Sequence, residues 1–150
     1  MAVMSVPAAL SIVTLGVTDL DRAVAFYSAL GWRRADSSVD GAISWFDAGG
    51  VAVGLFPRAE LAADAGVPPE LSGVPAGSFS GVTLAINVAD EAAVDAALAA
   101  AVAAGGTLAR PARRMEWGGY SGYVADPDGF HWEFAVNPGF PLVDGRAVVP

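Results

Sequence analysis

Ile12-Val13-Thr14-Leu15-Gly16-Val17-Thr18-Asp19 opens a stretch that continues through Leu20–Leu30 and stops at Gly31-Trp32. Thr83-Leu84-Ala85-Ile86-Asn87-Val88-Ala89-Asp90 opens a second, which continues through Glu91–Ala104 and stops at Gly105-Gly106. From Asp19 to Asp90 is 71 residues and from Gly31 to Gly105 is 74, so the chain contains an internal repeat. In each copy the opening run is rich in β-branched residues and alternates with a strand's two-residue period. Val13, Leu15 and Val17 oppose Ile12, Thr14 and Gly16; Leu84, Ile86 and Val88 oppose Thr83, Ala85 and Asn87.

A helix follows each run. Asp19 and Asp90 are suited to N-caps, and Asp21 and Glu91 sit near the positive end of the helix dipole. Ala23, Phe26, Tyr27 and Leu30 recur at helical spacing, as do Val94, Ala97, Leu98, Ala101 and Val102. Gly31 and Gly105 suit left-handed C-caps.

Further strands are expected over 32–36, 42–47 and 51–56 in the first half, and over 107–111, 120–125 and 130–135 in the second. Ala48-Gly49-Gly50 and Asp126-Pro127-Asp128-Gly129 read as hairpin turns. The pattern is βαβββ twice. One domain over 1–150 is expected, with a first module over 10–57, a linker over 58–80 with a short helix near 59–65, a second module over 81–138, and a tail over 139–150 extended on the surface.

Composition bounds the function. The chain has 150 residues, 54% of them hydrophobic and 16% charged, and a mean hydropathy of +0.48; such a chain forms a core rather than staying disordered. Sixteen acidic residues stand against eight basic ones, all arginine, for a net charge of −8. That balance argues against nucleic acid as a partner, because phosphate binding draws on an excess of Lys and Arg. It suits a cationic ligand, with Trp or Tyr faces to stack on it. No cysteine is present, which removes disulfides, thiolate metal sites and a cysteine nucleophile. No apolar run has the length and continuity of a membrane span, and the first residues lack a basic leader, so a cytoplasmic location is expected.

The doubled βαβββ pattern, with VTDLDRAVAFYSALGW at residues 17–32 and DPDGFHWEF at 126–134, resembles the vicinal oxygen chelate superfamily. That superfamily includes glyoxalase I, extradiol dioxygenases and bleomycin- or fosfomycin-resistance proteins, and the resemblance covers roughly residues 10–138. It implies an α+β fold in which paired βαβββ modules form an eight-stranded open barrel around one cavity. It also implies a homodimer, and in the metal-using members four ligands, mostly His and Glu, on the first, fourth, fifth and eighth strands. Here those positions fall on Ile12, within Val53–Phe56, on Thr83 and on Glu133, so one carboxylate remains where an imidazole- and carboxylate-rich set is expected. The sequence therefore predicts no metal and no cofactor.

Several side chains carry the binding expectation, each with a plainer structural alternative. Glu133 reads as a cavity acid, base or orienting group, or as a carboxylate that braces the sheet. His131, the only histidine, shares strand parity with Glu133 and is a titrating group or a surface strand residue. Thr14, Thr83 and Asn87 lie on the strand face opposite the helices. Trp117 and Tyr120 either roof a pocket or pack on the end of the sheet. Ser121 sits in no nucleophile motif. Trp45, Phe46 and Phe56 read as core, and no catalytic residue can be assigned.

The leading expectation is a metal-independent protein that binds a small apolar or aromatic ligand. The alternatives are a metal-dependent lyase or dioxygenase of the same superfamily, and a structural or regulatory subunit whose cavity is filled by its own side chains.

Overall fold

The computed structural model describes residues 5–73, 75 and 78–150; Val74, Ala76 and Gly77 of the expected linker lie outside them. Strand β1 (Ile12–Val17) runs parallel to β3 (Ala52–Pro57), with Thr14 opposite Gly54. Strand β2 (Ser44–Asp47) joins β3 antiparallel, giving a three-stranded sheet in the order β1-β3-β2. The second half repeats the plan. Strand β4 (Thr83–Asn87) runs parallel to β7 (His131–Val136), followed by β6 (Tyr120–Ala125) and β5 (Thr107–Arg114), in the order β4-β7-β6-β5.

The helices between first and second strands start and stop as their sequences dictate. Helix α1 (Leu20–Ala29) begins where the Asp19 carboxylate accepts a 3.0 Å hydrogen bond from the Arg22 amide. Helix α3 (Glu91–Ala103) begins where Asp90 accepts one of 2.8 Å from the Ala93 amide. Each cap satisfies an amide that would otherwise lack a partner at the helix start. Gly31 and Gly105 follow with φ of 89° and 111°, a left-handed conformation that ends the helices without steric cost.

Both helices pack on the apolar sides of the sheets. Leu15, Val17, Phe46 and Leu55 from the first sheet and Val124, Trp132 and Phe134 from the second enter one core with Phe26, Tyr27, Val94 and Leu98. Tyr27 of α1 lies at its centre, its ring 5.9 Å from Trp132 and 5.5 Å from Trp32. Each such aromatic buries on the order of 150–250 Å², so this contact does much to fuse the modules. The β6–β7 turn adds polar ties: the Thr18 amide and hydroxyl each donate a 2.9 Å hydrogen bond to Asp128 Oδ1.

Two expectations need correction. Residues 32–36 form no strand, only an isolated bridge from Arg34 to Phe46. Trp32 is half-buried and packs against the core, and Arg34 donates to Ser44 Oγ at 2.9 Å, so neither continues a ladder. The first sheet consequently has three strands, and the fold is a mixed α+β arrangement of several sheets; no closed barrel is found among the described residues. The tail is not simply extended. Strands β8 (Leu142–Val143) and β9 (Arg146–Ala147) form a small hairpin around Asp144, at φ 50°, and Gly145. Arg146 lies against the turn at Gly49 and Gly50 and helps hold the Asp47 carboxyl below its ordinary range, after the larger contributions of the Gly50 and Gly49 amides.

Helix α2 (Arg58–Asp64) occupies the expected short helix of the linker. No helix among the described residues is long and apolar enough to cross a membrane.

Candidate functional site

The face of the second sheet turned away from α3 presents three transverse rungs. The first joins Thr83, His131, Ala125 and Thr107; the second Ala85, Glu133, Tyr123 and Arg110; the third Asn87, Ala135, Ser121 and Arg113. The alternation of β4, β6 and β7 dictates the first three members of each rung. Strand β5 complies only through two register shifts, between Leu108 and Arg110 and between Arg110 and Arg113. The opposite face carries Leu84, Ile86, Trp132 and Phe134 into the core.

Arg110 organises the polar centre of the face. Its Nη1 donates to the Ser121 carbonyl at 2.9 Å and its Nη2 to Ser121 Oγ at 2.7 Å. The guanidinium carbon lies 5.2 Å from the centroid of the Tyr123 ring, a cation–π contact. Ser121 is fully buried, so the anchor of this arginine is fixed by packing. The Tyr123 phenol is pushed above its ordinary pKa, first by burial and then by the neighbouring Glu133 carboxylate. A hydroxyl kept protonated beside a carboxylate can both donate and accept a ligand's hydrogen bonds.

His131 stands in the first rung between Thr83 and Ala125. Its Nδ1 lies 2.9 Å from the Gly129 carbonyl. A carbonyl oxygen only accepts, so Nδ1 carries the proton and Nε2 is left as the second ring position. Phe79 meets the ring edge-on at 5.4 Å. From here the face opens into a cavity of about 520 Å³, lined by Thr107, Ala125 and His131 with Arg22, Arg58 and Ser80. A smaller cavity of about 150 Å³ brings Thr14 of β1 and Leu84 of β4 to the same histidine.

The structure thus gathers Thr83, Asn87, His131 and Glu133 on one face and Thr14 near its edge. It places Tyr120 elsewhere: the phenol donates to Asp95 Oδ1 on α3 at 2.7 Å, and that bond chiefly raises its pKa. The Trp117 ring lies over Gly119 in the β5–β6 turn and is half exposed. Arg110, Ser121 and Tyr123 were not among the sequence candidates. Ser121 and Tyr123 share a parity in β6 that could have flagged them; Arg110 gave no such signal, because its orientation depends on the bulges.

A family model described as the Glyoxalase/Bleomycin resistance protein/Dioxygenase superfamily matches residues 9–134. The chain belongs to this superfamily. A glyoxalase-related enzyme from Fulvimarina pelagi is similar at 35% identity, with 95% of this chain and 98% of that one covered and a TM-score of 0.80. A glyoxalase/bleomycin resistance protein/dioxygenase family enzyme from Burkholderia phytofirmans PsJN is 23% identical over 86% of this chain and 98% of that one, with a TM-score of 0.76. A lactoylglutathione lyase from Agrobacterium tumefaciens is 24% identical over 87% and 94%, with a TM-score of 0.63; at that identity the likeness extends to the fold alone. No curated protein matches.

Superfamily membership raises the question of a metal. Of the four positions named from the resemblance, Ile12 offers no donor atom, the segment over 53–56 holds only Val, Gly, Leu and Phe, and Thr83 offers a neutral hydroxyl. Glu133 alone is a strong ligand. Among the described residues no three His, Cys, Asp or Glu side chains are grouped closely enough to hold a metal ion. The donor set does not fit such a centre.

Proposed function

We propose that this protein is a small-molecule-binding member of the superfamily that works without the four-ligand metal centre and holds an apolar or aromatic ligand on the open face of the second sheet. The observation that carries the reading is the single face shared by Glu133, Tyr123, Arg110 and His131, whose first rung, at Thr107, Ala125 and His131, borders a cavity of about 520 Å³. That volume is in the range of small-ligand pockets, and a few convergent polar groups set against apolar surface are what such pockets use for orientation. Thr83 and Asn87 border the same face, and Trp117 stands at the β5–β6 end of the sheet. In this reading the two sheets act as walls of an incompletely closed barrel, the protein works as a cytoplasmic homodimer, and binding itself is the activity.

Two measurements test the proposal together. Metal content is determined after growth with added iron, manganese, nickel and zinc, and amide resonances of residues 121–125 and 131–135 are followed during titration with bicyclic aromatic compounds. Background metal with saturable shifts on this face is the expected result. Near-stoichiometric metal that disappears in Glu133→Ala would overturn the reading in favour of a metal-dependent lyase or dioxygenase.

A further inference from the structure

We infer that the ligand of this face carries an oxyanionic group, a carboxylate in the first instance, seated between Arg110 and Arg113; the inference rests on the ligand-binding reading above. The net charge of −8 points the other way, toward a cation. At physiological ionic strength, however, exposed charges more than about 8–10 Å away are largely screened, so the charges on the face itself decide. On the second and third rungs these are two guanidinium groups and one carboxylate, Glu133.

The arrangement of arginines along β5 is uneven. Arg114 turns toward α3 and meets Glu91 at 3.1 Å. Arg110 and Arg113, on the other face of the same strand, have no carboxylate within ion-pair distance among the described residues, although acidic side chains outnumber basic ones two to one. Arg110 spends three of its five N–H donors, two on Ser121 and one on the Pro111 carbonyl at 3.3 Å. The Nε–H and one Nη2–H remain without a partner among the described residues. Neighbouring guanidinium nitrogens match the spacing of two carboxylate oxygens, and this guanidinium is already immobilised by Ser121 and Tyr123. Its ordering cost has been met before a ligand arrives. Glu133 and Tyr123 then face the remainder of the ligand and disfavour a second negative charge there.

The test compares three probes of one shape on the wild-type protein: 2-naphthoate, 2-naphthylmethanol and 2-naphthylmethylamine. Their affinities are read from amide shifts of residues 121–125 and 131–135 and from the Nε–Hε signal of Arg110. Naphthoate is expected to bind at least about tenfold more tightly than the alcohol, with the amine weakest, and to lose affinity as salt rises. Arg113→Gln, and Arg110→Gln with Arg113→Gln, should weaken naphthoate several-fold and the alcohol much less, so that the preference for naphthoate collapses, while Arg114→Gln on the far face keeps the preference. Equal affinities, or a preference for the amine, would overturn the inference and leave the ligand-binding reading standing. Absence of shifts on this face with all three probes would overturn both. The probe comparison needs no substitution, so it holds even if the double variant folds poorly.

Discussion

The Tyr27 phenol donates a 2.6 Å hydrogen bond to Asp126 Oδ2, and its oxygen accepts one of 2.9 Å from Trp132 Nε1. The other oxygen of Asp126 accepts from the amides of Asp128 and Phe130 at 3.0 and 2.8 Å, so one carboxylate ties a helix of the first module to the β6–β7 turn of the second. The same turn leads into His131 and Glu133. A buried chain of polar groups therefore sets where the candidate site sits relative to α1.

Replacing Tyr27 with Phe keeps the ring and removes the link. Asp126 Oδ2 and Trp132 Nε1 then lose partners inside the core, at a cost of about 1–3 kcal/mol for each buried group left unsatisfied. Urea unfolding followed by tryptophan fluorescence should show Tyr27→Phe destabilised on that scale. The difference should also depend on pH. Burial, followed by the charge of Asp126, raises the Tyr27 pKa far above its ordinary value. A raised folded-state pKa contributes stability that is complete below the unfolded value, about 10, and is lost as pH rises beyond it. The gap between wild type and Tyr27→Phe should narrow above pH 10; a constant gap would contradict the assignment.

Trp45 rests on Gly54, and a Cβ built at that glycine would lie 2.5 Å from Trp45 Cζ3 and 3.4 Å from Thr14 Oγ1. The bare backbone lets the indole lie across β3 beside Thr14. Gly54→Ala should cost about 1–3 kcal/mol through overpacking. In a Trp45→Ala background, where the space is open, the same change should cost much less. A double-mutant cycle by thermal unfolding decides the matter: additive effects would show that the two residues do not share this contact.

Ser121 holds Arg110 through its carbonyl and its hydroxyl, and Ser121→Ala removes only the second. Hydrogen bonds to charged groups are worth about 1.5–3 kcal/mol, so a modest loss of stability is expected. The more specific expectation concerns order. The Arg110 Nε–Hε resonance should broaden or move toward the position of a solvated arginine while backbone shifts outside β5 and β6 stay in place. An unchanged signal would mean that Tyr123 alone fixes the guanidinium.

Much of this fold could be read from the repeat, because the two periods involved are local. The run over 12–17 and the run over 83–87 alternate every second residue, and Phe26, Tyr27, Val94 and Leu98 follow the helical repeat into the core. The same parity placed His131 beside Glu133. The misses arose where tertiary packing outweighed pattern. Trp32 alternates like a strand residue, yet its indole gains more by packing against the core beside Tyr27 and Trp132. Arg110 and Arg113 are three apart, so strict alternation puts them on opposite faces; only the bulge between them brings both to the face of Glu133. In the tail, Asp144-Gly145 between Leu142-Val143 and Arg146-Ala147 is a hairpin signal that the surrounding prolines obscured.

Glu133 and Tyr123 face each other across β6 and β7, and the phenol reports on the carboxylate. Burial is the larger cause of the raised Tyr123 pKa and Glu133 the next, with Thr83 and Arg110 acting in the opposite sense. Glu133→Gln removes the charge and keeps the shape. The Tyr123 pKa should then fall toward, though not below, the ordinary value of about 10, since burial remains. Conversely Arg110→Gln should raise it, because a favourable cation is lost beside the phenolate. Ultraviolet titration of the phenolate band, with Tyr27 and Tyr120 replaced by Phe to isolate the signal, measures both shifts. A fall in Arg110→Gln, or no change in Glu133→Gln, would mean that these three side chains do not form one electrostatic unit. It would also remove the polar handle from the proposed ligand site.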